Sequence, residues 1–401
     1  MSRVLESSFR DRSGFMYLHD NTMYRQVNRI CQDDFDFFID SGLYNHLTEK
    51  GLLIPHEEAN FAEALTTDAY KILKPVQLPF ISYPYEWAFS QLKDAALSTL
   101  EIQKEAMRRG MTLQDASAYN VQFLNGKSIF IDTLSFKKIE PDKPWSAYRQ
   151  FCQHFLAPLT LMSKVDCRLS SLSRIYIDGV PLDLAARLLP PLKKISFSIL
   201  VHIVMHSKAI SKYGTNPDTA RKKRSMGKYG LQGLVENLKS AVDRLTWQPV
   251  GTQWAEYCPM TSYSHEAMSR KMELLEEFVQ SVEPKPRFSL DLGANNGTYS
   301  RILGKYCDCV IAADLDHAAV EENYLQTKTG TDRNIYPIVL DISNPSPDIG
   351  WANLERDAFF KRRKFDLVIS LAFMHHVVIS NHVPIHKIAR FFHGICDYLI
   401  I

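Results

Sequence analysis

The sequence predicts an α/β protein whose C-terminal part is a parallel, doubly wound sheet. Three observations predict it. From about Val250, short apolar runs alternate with helical patterns five times over, the βαβα order of a parallel sheet. Before that, about Pro144 to Trp247 is mainly helical, with apolar residues three and four apart. The part up to about Phe136 mixes short strand-like runs with helices, an α+β pattern. These divide the chain into 1–143, a helical region 144–249 that continues it, and 250–401.

In the first zone "GFMYL", "MYRQV" and "SIFIDTLSF" are the strand candidates. In the second, "YRQFCQHFLAPLTLMS", "PLDLAARLL", "KISFSILVHIVMHSKAI" and "LQGLVENLKSAVDRL" read as helices. The apolar stretch Ile195 to Met205 is too short to span a bilayer and holds Ser and His, so it reads as a buried helix. In the third, "RFSLDLG", "CVIAADLD", "IYPIVLDIS", "FDLVISLA" and "CDYLII" are the five strands. The sequence stops on the fifth, so the sheet reads as truncated there, with an edge exposed or covered by another chain.

Composition excludes little but sets the class. The 401 residues are 45% hydrophobic and 23% charged, ordinary for a globular protein. Lys plus Arg number 47 against 45 Asp plus Glu, so the net charge of +2 gives no nucleic-acid signal. The basic run Arg221 to Arg224 reads as a solvated connector. Seven cysteines without a CxxC pair read as reduced thiols, and the polar start lacks a signal peptide, so a cytoplasmic protein is expected.

The chemistry concentrates at "LDLGANNG". A strand, a glycine turn and a helix start make the usual cradle for a nucleotide-like cofactor: a dinucleotide, a nucleoside triphosphate or S-adenosylmethionine. The glycines Gly293 and Gly297 are four apart, not in the GxGxxG spacing that a pyrophosphate needs. Asp291 at the strand end suits a ligand with an ammonium and a sulfonium. Asp314, twenty-one residues after Gly293, is placed to take ribose hydroxyls, and Asp341 after the third strand to accept from an adenine amino group. Downstream, His375 and His376 in "SLAFMHHVV" are candidate proton acceptors. By spacing alone His375, His376, His382 and His386 also allow a metal site, but no acid pattern accompanies them and none is expected. Trp254, Tyr257 and Tyr263, before an amphipathic helix, are read as packing that helix onto the sheet rather than closing over a cofactor.

On "LDLGANNG", "AADLD", "VLDIS" and "FDLVISLAFMHHV", the segment from Val250 to Ile401 resembles the class I S-adenosylmethionine-dependent methyltransferases, which have a Rossmann-like fold. The resemblance implies that Asp291, Gly293 and Gly297 line the methionine end, with Asn295 of the same turn also at the cofactor. It implies Asp314 at the ribose, Asp341 with Ile342 at the adenine, and Leu315 and Ser370 among the cofactor-binding residues. That family's sheet ends in an antiparallel hairpin, which this sequence stops short of.

A second resemblance lies upstream. Asp115, Asn120 five residues on, and Asp132 at a strand end resemble the catalytic loop and metal-binding aspartate of protein-kinase-like phosphotransferases, with "VQFLNGKSIFID" as the hairpin between. It implies a Mg-ATP site at these three residues. Leu113 and Gln114 replace the usual His-Arg pair, Thr133 and Leu134 replace Phe-Gly, and Arg25 stands where a lysine would be expected. A degenerate fold used for binding fits these departures as well as a kinase does. The whole arrangement is loosely similar to bacterial proteins related to the nodulation protein NoeA. The expected function is methyl transfer from S-adenosylmethionine to a small-molecule or glycan acceptor. The alternative is a phosphotransferase or ATP-binding module with an accessory S-adenosylmethionine-binding domain.

Overall fold

The computed structural model describes residues 2–60, 63–191, 196–205, 226–249, 264–371 and 373–401. The basic run Arg221 to Arg224 and the aromatics Trp254, Tyr257 and Tyr263 lie outside the described residues.

The chain opens with an antiparallel sheet of β1 (Arg3–Val4), β2 (Gly14–His19), β3 (Thr22–Asn28), β4 (His56–Glu58) and β5 (Ala69–Pro75), in the order β1-β2-β3-β5-β4. Asp20 and Asn21, both at positive φ, make the tight turn between β2 and β3. Helix α1 (Phe89–Arg108) follows, then β6 (Met111–Leu113), the hairpin of β7 (Val121–Leu124) and β8 (Lys127–Phe130), and β9 (Phe136–Lys138). The expected hairpin is present because Asn125 and Gly126, again both at positive φ, supply the turn that matches strand twist.

The helical region includes a helical run over 148–164 and α2 (Lys228–Asp243). One apolar core joins Phe38, Leu92, Leu100, Phe130, Phe155, Leu238 and Leu245, so the helices continue the core of the first zone. Of the stretch read as a buried helix, Ser196 to Met205 is described, with Ser196 capping the helix that starts at Phe197. It is helical and buries Ile199, His202 and Ile203 but leaves Phe197 and Met205 exposed. No described helix is long and apolar enough to cross a membrane.

After α3 (His265–Gln280) come β10 (Phe288–Leu292), α4 (Thr298–Leu303), β11 (Cys309–Asp314), α5 (His317–Thr329), β12 (Ile335–Val339), β13 (Phe365–Ile369), α6 (Ile385–Ile395) and β14 (Cys396–Ile400). All five strand candidates form one sheet, every pairing is parallel, and the order is β12-β11-β10-β13-β14. Leu290 of the central strand lies between Ile311 and Val368 in register, and all three are buried, as strands covered on both faces must be. The order reverses at β10, which opens a crevice at the carboxyl ends of β10 and its neighbours. Among the described strands β14 pairs only with β13, and Tyr398 and Leu399 on it are partly exposed.

Polar contacts fasten the sheet to the first zone. The backbone and hydroxyl of Ser90 donate to Glu321, Gln91 donates to the carbonyl of Pro337 at 3.0 Å, and Tyr324 donates to Asp94 at 2.7 Å. Arg362 makes a two-pronged pair with Glu86, 2.5 and 2.8 Å, and both side chains are almost wholly buried.

Candidate functional site

A cavity of about 1410 Å³ opens at the carboxyl ends of the parallel strands. The loop after β10 forms its floor. Gly293 sits at φ 78° and a side chain there would press on Phe373, while Asn295 takes φ 49° and donates its backbone N–H to Asp314 at 2.8 Å. Asp314 also accepts from the backbone of Asp316 at 2.9 Å. Burial raises the pKa of Asp314 against these two donors. Asp341, two residues beyond β12, accepts from the backbone and hydroxyl of Ser343 at 2.8 and 2.6 Å. Gly293, Asn295, Asp314, Leu315, Asp341 and Ile342 all line the cavity.

Three sequence-predicted residues sit elsewhere. Asp291 is buried within β10 and is not among the lining residues; Ser300 donates to it at 2.7 Å. Burial, with the charge of Asp314 beside it, pushes its pKa up to about 7 against the opposing pull of Ser300 and Lys271. Gly297 caps α4 at φ 81°, and a side chain there would collide with Asn323 and Arg301, so its smallness serves packing. Ser370 is fully buried behind the wall, and Leu371 and Phe373 line the cavity in its stead.

His375 and His376 both line the cavity, their rings 4.0 Å apart. Partial burial and then the charge of His375 hold His376 below its ordinary pKa, so its imidazole is neutral at pH 7. Among the described residues no three metal-binding side chains converge.

In the first zone the three kinase-like residues are neighbours. Burial raises the pKa of Asp115, the charge of Asp132 adds to the rise, and Asn120 hydrogen-bonds to it and opposes it. Asn120 also donates to Ser135, which donates to Asp132. Asp132 is ion-paired with Arg25, and both side chains are mostly buried. Burial works to raise the pKa of Asp132, but Arg25, Ser135 and the Leu134 amide outweigh it and hold the carboxyl low. A guanidinium thus already neutralises the carboxylate expected to hold magnesium.

No family profile matches the chain. Over 389 residues, 95% of this chain and 80% of the relative, it is 32% identical to nodulation protein NoeA of Rhizobium meliloti (strain 1021). The chain belongs to the NoeA family. Among solved structures, vaccinia related kinase 3 aligns over 61% of this NoeA-family chain and 88% of its own, at 11% identity and a TM-score of 0.32. A likeness that slight carries no argument about fold or activity.

Sequence reasoning missed the opposite wall. In this NoeA-family chain it comes from Tyr85 and from Val165 to Arg174, with Trp247, Met268 and Lys271 closing one side. Lys271 lies over the Tyr299 ring at 4.7 Å and feels the charge of Asp291, while burial lowers its pKa. Nothing in the spacing of these residues marks them, because they reach the cavity only through tertiary packing. Lys271 alone carried a signal, as a cation on the helix that leads into the first strand.

Proposed function

We propose that the C-terminal part of this NoeA-family chain binds S-adenosylmethionine and transfers its methyl group to an acceptor held in the same cavity. The observation that supports it best is the placing of Asp314 and Asp341 at successive strand ends around one cavity, beside the glycine loop, where the strand order reverses. The sheet is read as Rossmann-like on the same ground. The residues fit the group: Asp314 for the ribose hydroxyls, Asp341 and Ile342 for the adenine, and Lys271 as a cation for the methionine carboxylate. Gly293 and Asn295 give the backbone close approach. When bound, the cofactor supplies an electrophilic methyl group on a sulfonium.

The chain's own task is then to hold a nucleophile in line and keep water out, with His376 as a neutral imidazole able to take a proton from it. The relative is named a nodulation protein, and we extend that setting to this chain. Isothermal calorimetry with S-adenosylmethionine tests the reading: binding by the wild type, lost in Asp314→Ala, is expected, and no heat from the wild type overturns it. A second reading, Mg-ATP held at Asp115, Asn120 and Asp132, is supported by their proximity. Magnesium-ATP in the same instrument tests it.

A further inference from the structure

The cavity is larger than one cofactor needs. Its 1410 Å³ exceeds the range of roughly 300–1,000 Å³ ordinary for ligand pockets, and its far wall comes from the helical region rather than the sheet. Beside Val165 and Cys167, that wall carries the polar side chains of Asp166, Arg168, Ser170, Ser171 and Arg174, and Tyr85 lines it too.

Its charges are not balanced. Asp166 is taken up by Arg168, through contacts of 2.9 and 2.5 Å, and it also caps the turn that starts at Cys167. Lys271 stands on the cofactor's side, where it was assigned to the methionine carboxylate, and it feels the charge of Asp291. Arg174 is half-buried and lines the cavity, yet its guanidinium has no hydrogen-bond or ion-pair partner among the described residues. In the same wall Tyr85 is 6% exposed and its hydroxyl has no partner among the described residues. A half-buried cation and a buried donor left open in one wall call for a ligand that accepts.

We propose that Asp166 to Arg174 is the acceptor subsite and that Arg174 binds a carboxylate or phosphate group of the methyl acceptor, with the Tyr85 hydroxyl as a second donor. The acceptor is therefore a small anionic molecule. The carboxylates of Asp314 and Asp341 lie on the sheet side, so the anion is drawn to the opposite wall and away from the cofactor's share of the cavity. This proposal rests on the reading of the sheet side as the cofactor's place.

Inorganic phosphate and succinate, each titrated into the full chain with and without S-adenosylmethionine, test it and separate the two anion classes. One of them should bind the wild type and bind Arg174→Gln at least roughly tenfold more weakly, as loss of a charge-assisted contact requires. Arg174→Lys should recover part of the loss. S-adenosylmethionine should bind Arg174→Gln as it binds the wild type. The proposal is overturned if neither anion binds the wild type, if Arg174→Gln binds both equally well, or if it loses the cofactor too. Arg174-dependent anion binding in a chain that shows no heat with S-adenosylmethionine would leave the anion site standing and remove the cofactor reading.

Discussion

Replacing Arg362 by methionine should loosen the join between the two halves of the chain. Its side chain is 5% exposed and that of Glu86 1% exposed, and their two contacts are 2.5 and 2.8 Å. A third donation goes to the Ile81 carbonyl at 2.9 Å, and the group stacks over Tyr83 at 4.1 Å. Removing one member of such a pair leaves a buried charge uncompensated, at about 3–5 kcal/mol. The guanidinium also lies over the Phe80 and Phe359 rings, and methionine fills that space without the charge, so the loss is electrostatic in origin. Glu86→Gln with Arg362→Met removes both charges, and the double variant should lose less than the two single losses summed, by at least about 2 kcal/mol. Hydrogen exchange of residues 81–91, which hold the segment on Glu86, reads the local opening energy. A loss under about 1 kcal/mol in Arg362→Met, or strict additivity in the double variant, would refute the reasoning.

Other expectations follow from the site. Asp314→Asn should weaken S-adenosylmethionine about 10- to 150-fold in calorimetry, the size of a lost hydrogen bond of about 1.5–3 kcal/mol to a charged group. Asp291 has a folded pKa pushed up to about 7 from an ordinary 3.8, so its share of stability is present below pH 4 and is lost as pH rises toward 7. Asp291→Asn should therefore gain on the wild type in denaturant melts from pH 4 to pH 7, by up to roughly 4 kcal/mol, and by a constant amount above. Arg25→Met should cost about 3–5 kcal/mol by stranding buried Asp132, and adding Asp132→Asn should restore most of it in the same melts. Gly297→Ala should destabilise by at least about 1–2 kcal/mol from its left-handed backbone alone, and more from the collision with Asn323, read by thermal unfolding.

The parallel sheet was legible in the sequence because its strands are buried on both faces and so read as unbroken apolar runs, as "CVIAAD" and "FDLVI" do. The loop acids Asp314 and Asp341 were legible because strand ends fix where they fall. Asp291 and Gly297 were harder, since the spacing says that they are near the turn but not which way they face. A carboxylate at a strand end can point to a cavity or into a core, and that of Asp291 meets Ser300 instead. Arg25 was read as a substitute for a lysine, yet its pairing with Asp132 across 107 positions of sequence is a fact of folding. The wall from Asp166 to Arg174 is the clearest case of what pattern cannot give, because it belongs to one stretch of chain and serves another.

The bolts between the halves also bear on how such a protein changes over generations. Ser90 with Glu321, Asp94 with Tyr324, and Glu86 with Arg362 each put one partner in either half. A substitution on one side leaves its partner on the other without its contact, so each half constrains which changes the other can take at these positions. A chimera that joins the first half of one relative to the second half of another should be destabilised unless both parents carry matching residues at these three couples.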